Sequence, residues 1–123
     1  LLRDANDGAW TTYTPTITAG TGTFTTVSAT GRYLLAGKTL FLQMRINITT
    51  NGTAGQSVNA TLPASLTAVA DTTINGRAIA VSGKQCQCAT AATSGTIVIV
   101  NYDNTYPGSS GESITVGGVI EIT

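Results

Sequence analysis

The sequence predicts an all-β fold, an antiparallel β-sandwich of jelly-roll type, and three observations carry that prediction. From Gly37 to Thr50 one alternation holds without a break: Leu40, Leu42, Met44, Ile46 and Ile48 fall on one parity, and Phe41, Gln43, Arg45, Asn47 and Thr49 on the other. Side chains along a strand alternate between two faces, so this segment has an apolar side backed by a mostly polar one. Short runs rich in Val, Ile and Thr recur about every ten residues between Gly, Pro, Asn and Ser breaks, the spacing of strands in a sandwich. No stretch holds a sustained helical period.

Residues 1–9 carry Arg3, Asp4 and Asp7 without strand pattern, and read as a connector from an upstream shaft or stalk. The β domain then occupies residues 10–123. Trp10 to Thr18 is strand-like, but Pro15 has no N–H for a ladder, so the strand is an edge or breaks there. Phe24 to Ala29 and Arg32 to Leu35 predict a second strand interrupted by a bulge at Gly31. Ala36-Gly37-Lys38 turns it into the long strand as a hairpin, and Asn51-Gly52 is a strong turn signal after it. Gln56 to Leu62 is a short strand ended by Pro63, and 63–71 is the one place for a helical turn. Thr72 to Ser82 and Gln85 to Thr90 follow as strands. Thr96 to Val100 is apolar on both parities, which predicts a central strand covered on both sides, by a second sheet or a neighbouring subunit. Asn101 to Gly111 is the longest loop, and a last strand, Ser113 to Ile122, is broken at Gly117-Gly118.

Composition narrows what the domain does. Leu, Ile, Val and Phe make up 28 of 123 residues, so the core is thin, and such a chain gains from burying surface against copies of itself. Oligomerisation is the first physical expectation. Zero net charge and a pI near 6.3 argue against a nucleic-acid partner. No apolar run approaches the ~20 residues that cross a bilayer as a helix, and no signal peptide is visible. Cys86 and Cys88 sit two apart on one face, a poor geometry for a mutual disulfide, and with no His there is no zinc set. They read as reduced, partly buried small residues, suited to assembly in a reducing cytoplasm. No cofactor or metal is expected.

The absence of His also removes the Ser-His-Asp and Cys-His nucleophile systems, and no phosphate-loop glycine motif is present. Among six carboxylates, Asp103 and Glu112 flank the long loop and are the only couple worth weighing for glycoside cleavage; solvated loop charges are the preferred reading. Tyr102, Asp103, Asn104 and Tyr106 combine amphipathic rings with short acceptors and an amide, as saccharide recognition requires. The competing reading makes them a surface loop whose tyrosines pack locally while Asp and Asn serve the turn. Trp10 and Tyr13, beside the connector, are expected against the shaft or a neighbouring subunit. Phe41 and Arg45, on the mixed face of the long strand, are expected at a subunit rim. The Asn-X-Thr matches at Asn47, Asn51 and Asn59 are coincidences of a Thr-rich chain.

Trp10-Thr-Thr-Tyr13-Thr-Pro15, Gly22-Thr-Phe24, Gly31-Arg-Tyr33, Gly37-Lys38-Thr-Leu-Phe-Leu-Gln and Leu62-Pro63 together resemble a module near the C-termini of bacteriophage tail fibres and related virion proteins. The resemblance spans about Ala9 to Pro63; the second half matches only in β-rich style and final strand. It implies a homotrimeric β-sandwich knob at a fibre tip, on the virion, contacting bacterial surface polysaccharide or another receptor without catalysis or membrane insertion. It carries over no catalytic or binding residue. A trimerisation or capping module without receptor contact, or a capsule depolymerase fragment using Asp103 and Glu112, are the alternatives.

Overall fold

The computed structural model describes residues 9–123, so the expected connector lies, but for Ala9, outside the described residues. The domain is all-β: β1 (Thr11–Tyr13), β2 (Ile17–Thr21), β3 (Thr26–Ala36), β4 (Thr39–Thr50), β5 (Gly55–Thr61), β6 (Thr72–Ala78), β7 (Gln85–Thr90), β8 (Thr96–Asn101) and β9 (Ser113–Glu121). The one helical piece is a 3₁₀ turn at Pro63–Ser65, inside the stretch where the sequence allows one. All nine strands form a single antiparallel sheet in the order β1-β3-β4-β9-β6-β7-β8-β5-β2.

The order forces the sheet to curl. Its two edges, β1 and β2, are neighbours in sequence, joined only by Thr14-Pro15-Thr16. Such a link reaches roughly 14 Å from Tyr13 to Ile17 when fully extended, so the two edges must come together. They are then stapled. The Tyr13 hydroxyl donates to the Thr61 carbonyl oxygen at 3.2 Å, Thr16 N–H to Thr61 Oγ1 at 2.9 Å, and Thr61 N–H to the Thr16 carbonyl at 3.2 Å. Pro15 is buried at this switch, where a residue with no N–H leaves no donor unpaired.

β4 runs through the structure as its alternation predicts. It pairs along its length with β3 and β9, and Leu40, Leu42, Met44, Ile46 and Ile48 all point into the curl. They meet Ile114, Val116 and Ile120 of β9, Ile97 and Ile99 of β8, and Val58 of β5 in one core. Each fully buried Leu or Ile contributes on the order of 2 kcal/mol. Cys86 and Cys88 are free and buried in that core, and burial pushes the Cys88 thiol up to about 12, so they serve as small apolar residues.

Several local expectations change. The break expected at Pro15 in the Trp10–Thr18 strand is there, but it leaves two elements on opposite edges of the sheet. β3 is continuous through Gly31, and its one register shift lies at Thr26/Val27. Gly31 is there for space: a Cβ would run into the ring of Tyr13 packed over it. β9 passes unbroken through Gly117-Gly118, because β4 pairs with both glycines and β6 with Gly117. Asn51-Gly52 turns the chain without closing a hairpin, since β4 and β5 lie at separate places in the sheet. On β8, Ile97 and Ile99 are buried but Val98 is 42% exposed, so within the chain only one side is covered.

Glu112 is the largest departure. It is 1% exposed, far from a solvated loop charge. Its Oε1 accepts the N–H groups of Ala80 (2.8 Å), Val81 (3.0 Å) and Ser113 (3.0 Å), and its Oε2 that of Ser82 (3.0 Å). Burial alone would raise this carboxyl, but the four backbone donors outweigh it and hold the group below its ordinary range. The carboxylate thus binds the β6–β7 turn to the start of β9. Because the folded value is depressed, this stabilisation is complete above about 4.5 and is lost as pH falls through the folded value. Glu112→Gln, which offers one acceptor oxygen to several donors, is expected to cost about 3 kcal/mol at neutral pH. Urea melts across the acid range should show the loss, with a shallower acid limb in the variant.

Candidate functional site

The long loop between β8 and β9 is held together internally. Buried Asn101 donates through Nδ2 to Thr105 Oγ1 at 3.0 Å and to the Tyr106 carbonyl at 3.2 Å. Asp103 accepts the side-chain O–H and the backbone N–H of Thr105 and pairs with Lys84 at 3.2 Å; these contacts hold its carboxyl below the usual range. Asn104 takes a left-handed conformation (φ 65°) and accepts from Gln87 Nε2 at 2.6 Å. The two tyrosines part company. Tyr106 packs against the core and donates to Asn51 Oδ1 at 2.6 Å, whereas Tyr102 is 65% exposed with the Lys84 ammonium 5.9 Å from its ring centroid. Tyr102, Asp103 and Asn104 therefore stand on the exposed side of the loop while Tyr106 turns inward, and Asp103 and Glu112 spend their oxygens on different partners.

Of the residues expected at a subunit interface or against the shaft, Tyr13 is half-buried within its own chain, edge-on to Tyr33 with ring centroids 5.7 Å apart. Trp10 is exposed, with the Arg32 guanidinium 5.8 Å from its ring. Phe41 lies on the outer face of the sheet, in register with Leu34 of β3 and half-exposed Val119 of β9. Arg45 is exposed and donates from Nε to Asn47 Oδ1 at 3.1 Å.

Next to the Phe41 row, on the same outer face, register assembles a feature that no single strand announces. Arg32, Gln43, Gly117, Asn75 and Gln87 stand opposite one another across β3, β4, β9, β6 and β7. The next row contains Thr30, Arg45, Thr115, Arg77 and Gln85. Together they bound an open groove of about 760 Å³, in which Gln87 alone of the ten has no part. A smaller hollow shares Thr30, Gly31 and Arg32 with it and extends it to Thr12 and Thr14 at the β1 edge.

The groove has a definite chemical character. Arg32, Arg45 and Arg77 are three of the five cationic side chains among the described residues, and no carboxylate lines it. Among the described residues none of the three is ion-paired; the ion pair present is Lys84–Asp103. The other side chains that line it are mainly amides and hydroxyls. Gly117 keeps the middle open: a Cβ there would meet nothing closer than the Leu42 carbonyl at 3.5 Å, so the gap comes from the missing side chain and not from crowding. Among the described residues no group of three His, Cys, Asp or Glu could hold a metal.

The sequence reading found Gln43 and Arg45 of this face and missed Arg32, Asn75, Arg77 and Gly117. The available signal was the outward parity of β3, β4, β6 and β9, which carries Arg, Gln, Asn and Thr and a single acid, Glu121, at the far end of β9; only the register shows that these positions align. No protein-family model, curated protein or solved structure matches the chain.

The loop geometry separates the roles of its tyrosines. Tyr106→Ala removes core packing and the bond to Asn51, and is expected to cost about 3 kcal/mol. Tyr102→Ala is expected to leave stability within ~0.5 kcal/mol, as at other surface positions. Thermal denaturation of both variants checks the pair.

Proposed function

We propose that this chain is the non-enzymatic tip module of a homotrimeric bacteriophage tail fibre, attaching the virion to a receptor on the bacterial surface. The observation that carries the reading is the open, carboxylate-free groove on the outer face of β3, β4, β9 and β6. Its polar side chains stand on paired strands, which hold them more rigidly than a loop would. The residues from Trp10 to Pro63 that resemble tail-fibre modules support the same reading. In it, the curled sheet is a jelly-roll-like sandwich whose thin core is supplemented by neighbouring copies. The apolar row of exposed Phe41 and Val119 with half-buried Leu34, beside the groove, is the contact between copies, with Arg45 near its rim. The receptor lies along the groove, and exposed Tyr102 with Asp103 and Asn104 stands apart from it as a secondary contact.

Gly117→Trp fills the groove from a position where an added Cβ makes only ordinary contact, 3.5 Å from the Leu42 carbonyl oxygen. The variant is expected to lose at least tenfold in adsorption to susceptible cells while its melting temperature stays within ~3 °C, a shift of under about 1 kcal/mol. Undiminished adsorption would remove the groove as receptor site and leave the capping reading in its place. For the assembly, Phe41→Glu places a charge in the proposed contact and is expected to shift the particle mass from trimer to monomer in light scattering. An intact trimer would move the contact elsewhere.

A further inference from the structure

We infer that the groove is built for an anionic saccharide, a sugar chain that carries carboxylate, sulfate or phosphate groups at intervals along its length. The inference deepens the attachment reading and rests on it. The placement of the arginines comes first. Arg45 and Arg77 share a cross-strand row with Thr115 of β9 between them, so their backbones lie about 10 Å apart at ordinary strand spacing. Arg32 is opposite Gln43 and so diagonal to Arg45, roughly 7–8 Å away on the neighbouring strand. The three guanidinium groups are thus strung across the groove. A single small anion would meet one of them; a chain with repeated negative charge meets them in turn.

The side chains between the arginines select the rest of the ligand. Gln43, Asn75 and Gln85 offer both amide donors and acceptors, and Thr30 and Thr115 offer hydroxyls, a set that matches the vicinal hydroxyls of sugars. No aromatic side chain lines the main groove, and the one ring in the hollow that extends it, Tyr13, is held edge-on to Tyr33, so the groove has no row of rings on which successive nucleic-acid bases would stack. The absence of a lining carboxylate matters in two ways. It leaves the arginines to repel one another until an anion arrives, and it removes the groups that would turn an anionic ligand away. Among the described residues the guanidinium groups of Arg45 and Arg77 bond to protein only through Nε, to Asn47 Oδ1 and to the Gly83 carbonyl. Their terminal nitrogens are left for a forked contact with an oxyanion.

The test is equilibrium binding of the purified protein to polygalacturonate, heparin and phosphomannan, which carry carboxylates, sulfates and phosphates respectively. Dextran serves as the neutral polymer and oligo(dT) as a polyanion without sugar-hydroxyl chemistry of this kind. At least one acidic polymer is expected to bind, more weakly as salt rises, and to identify which oxyanion the groove takes. Arg45→Gln and Arg77→Gln are each expected to weaken that binding roughly tenfold, the loss of one charge-assisted contact, with unchanged circular dichroism. The inference is overturned if all three acidic polymers bind no better than dextran, if the arginine variants bind like the parent, or if oligo(dT) binds as tightly. Two patterns separate it from the reading beneath it. Cell adsorption abolished by Gly117→Trp but untouched by the arginine variants keeps the groove and rejects the anionic ligand; adsorption untouched by either rejects both.

Discussion

The pairing of β4 on both of its long sides is the constraint from which the rest of the domain follows. A strand with period-two alternation has no freedom to slip by one residue, because a slip would exchange its entire apolar set for its polar one. Here the penalty applies twice, against β3 and against β9, over nearly the whole strand. Leu40 to Ile48 can face only inward, and Phe41, Gln43 and Arg45 only outward. The core and the groove are therefore two consequences of a single register. Shifting β9 by one residue would unseat Ile114 and Val116 and would also remove Thr115 from between Arg45 and Arg77 and Gly117 from between Gln43 and Asn75.

The curl adds the second constraint. A chain with so few large apolar residues cannot cover both faces of a nine-strand sheet, and it does not try. Rolling the sheet until β1 meets β5 and β2 gives one enclosed interior, into which the available Ile, Leu and Val are gathered. Three residues, the middle one a proline, set how far the roll goes. The outer face is left to polar side chains, apart from the row at Leu34, Phe41 and Val119 and isolated residues such as Val98.

How much of this could be read from the chain depends on the range of the interaction involved. Alternation is local, so β4, its buried face and most strand positions were legible. Pro15 was legible as a break, though not as the hinge between the two edges of the sheet, because that depends on which strands pair. The glycines misled for the same reason. Gly31 and Gly117 look like interruptions in sequence, but one makes room for Tyr13 and the other leaves a space beside Gln43 and Asn75. Aromatic residues in the longest loop drew attention as a binding site, whereas Tyr106 is part of the packing and the loop's polar atoms bond to one another. The groove stayed hidden because its residues come from β3, β4, β6, β7 and β9, and no window of sequence contains them together.

Glu112 grips the turn at Ala80, Val81 and Ser82 entirely through main-chain N–H groups. Such a grip is indifferent to what side chains the turn carries, provided none of the three is proline. The segment just ahead of Gly83 and Gln85, which border the groove, is therefore free to change its chemistry without loosening the sheet. A fixed carboxylate thus provides a variable position: residues at 80–82 can be exchanged as a tunable lip while the strands beneath them keep their register. If the groove takes a receptor, as proposed, diversity in that ligand can accumulate at this turn at little cost to folding.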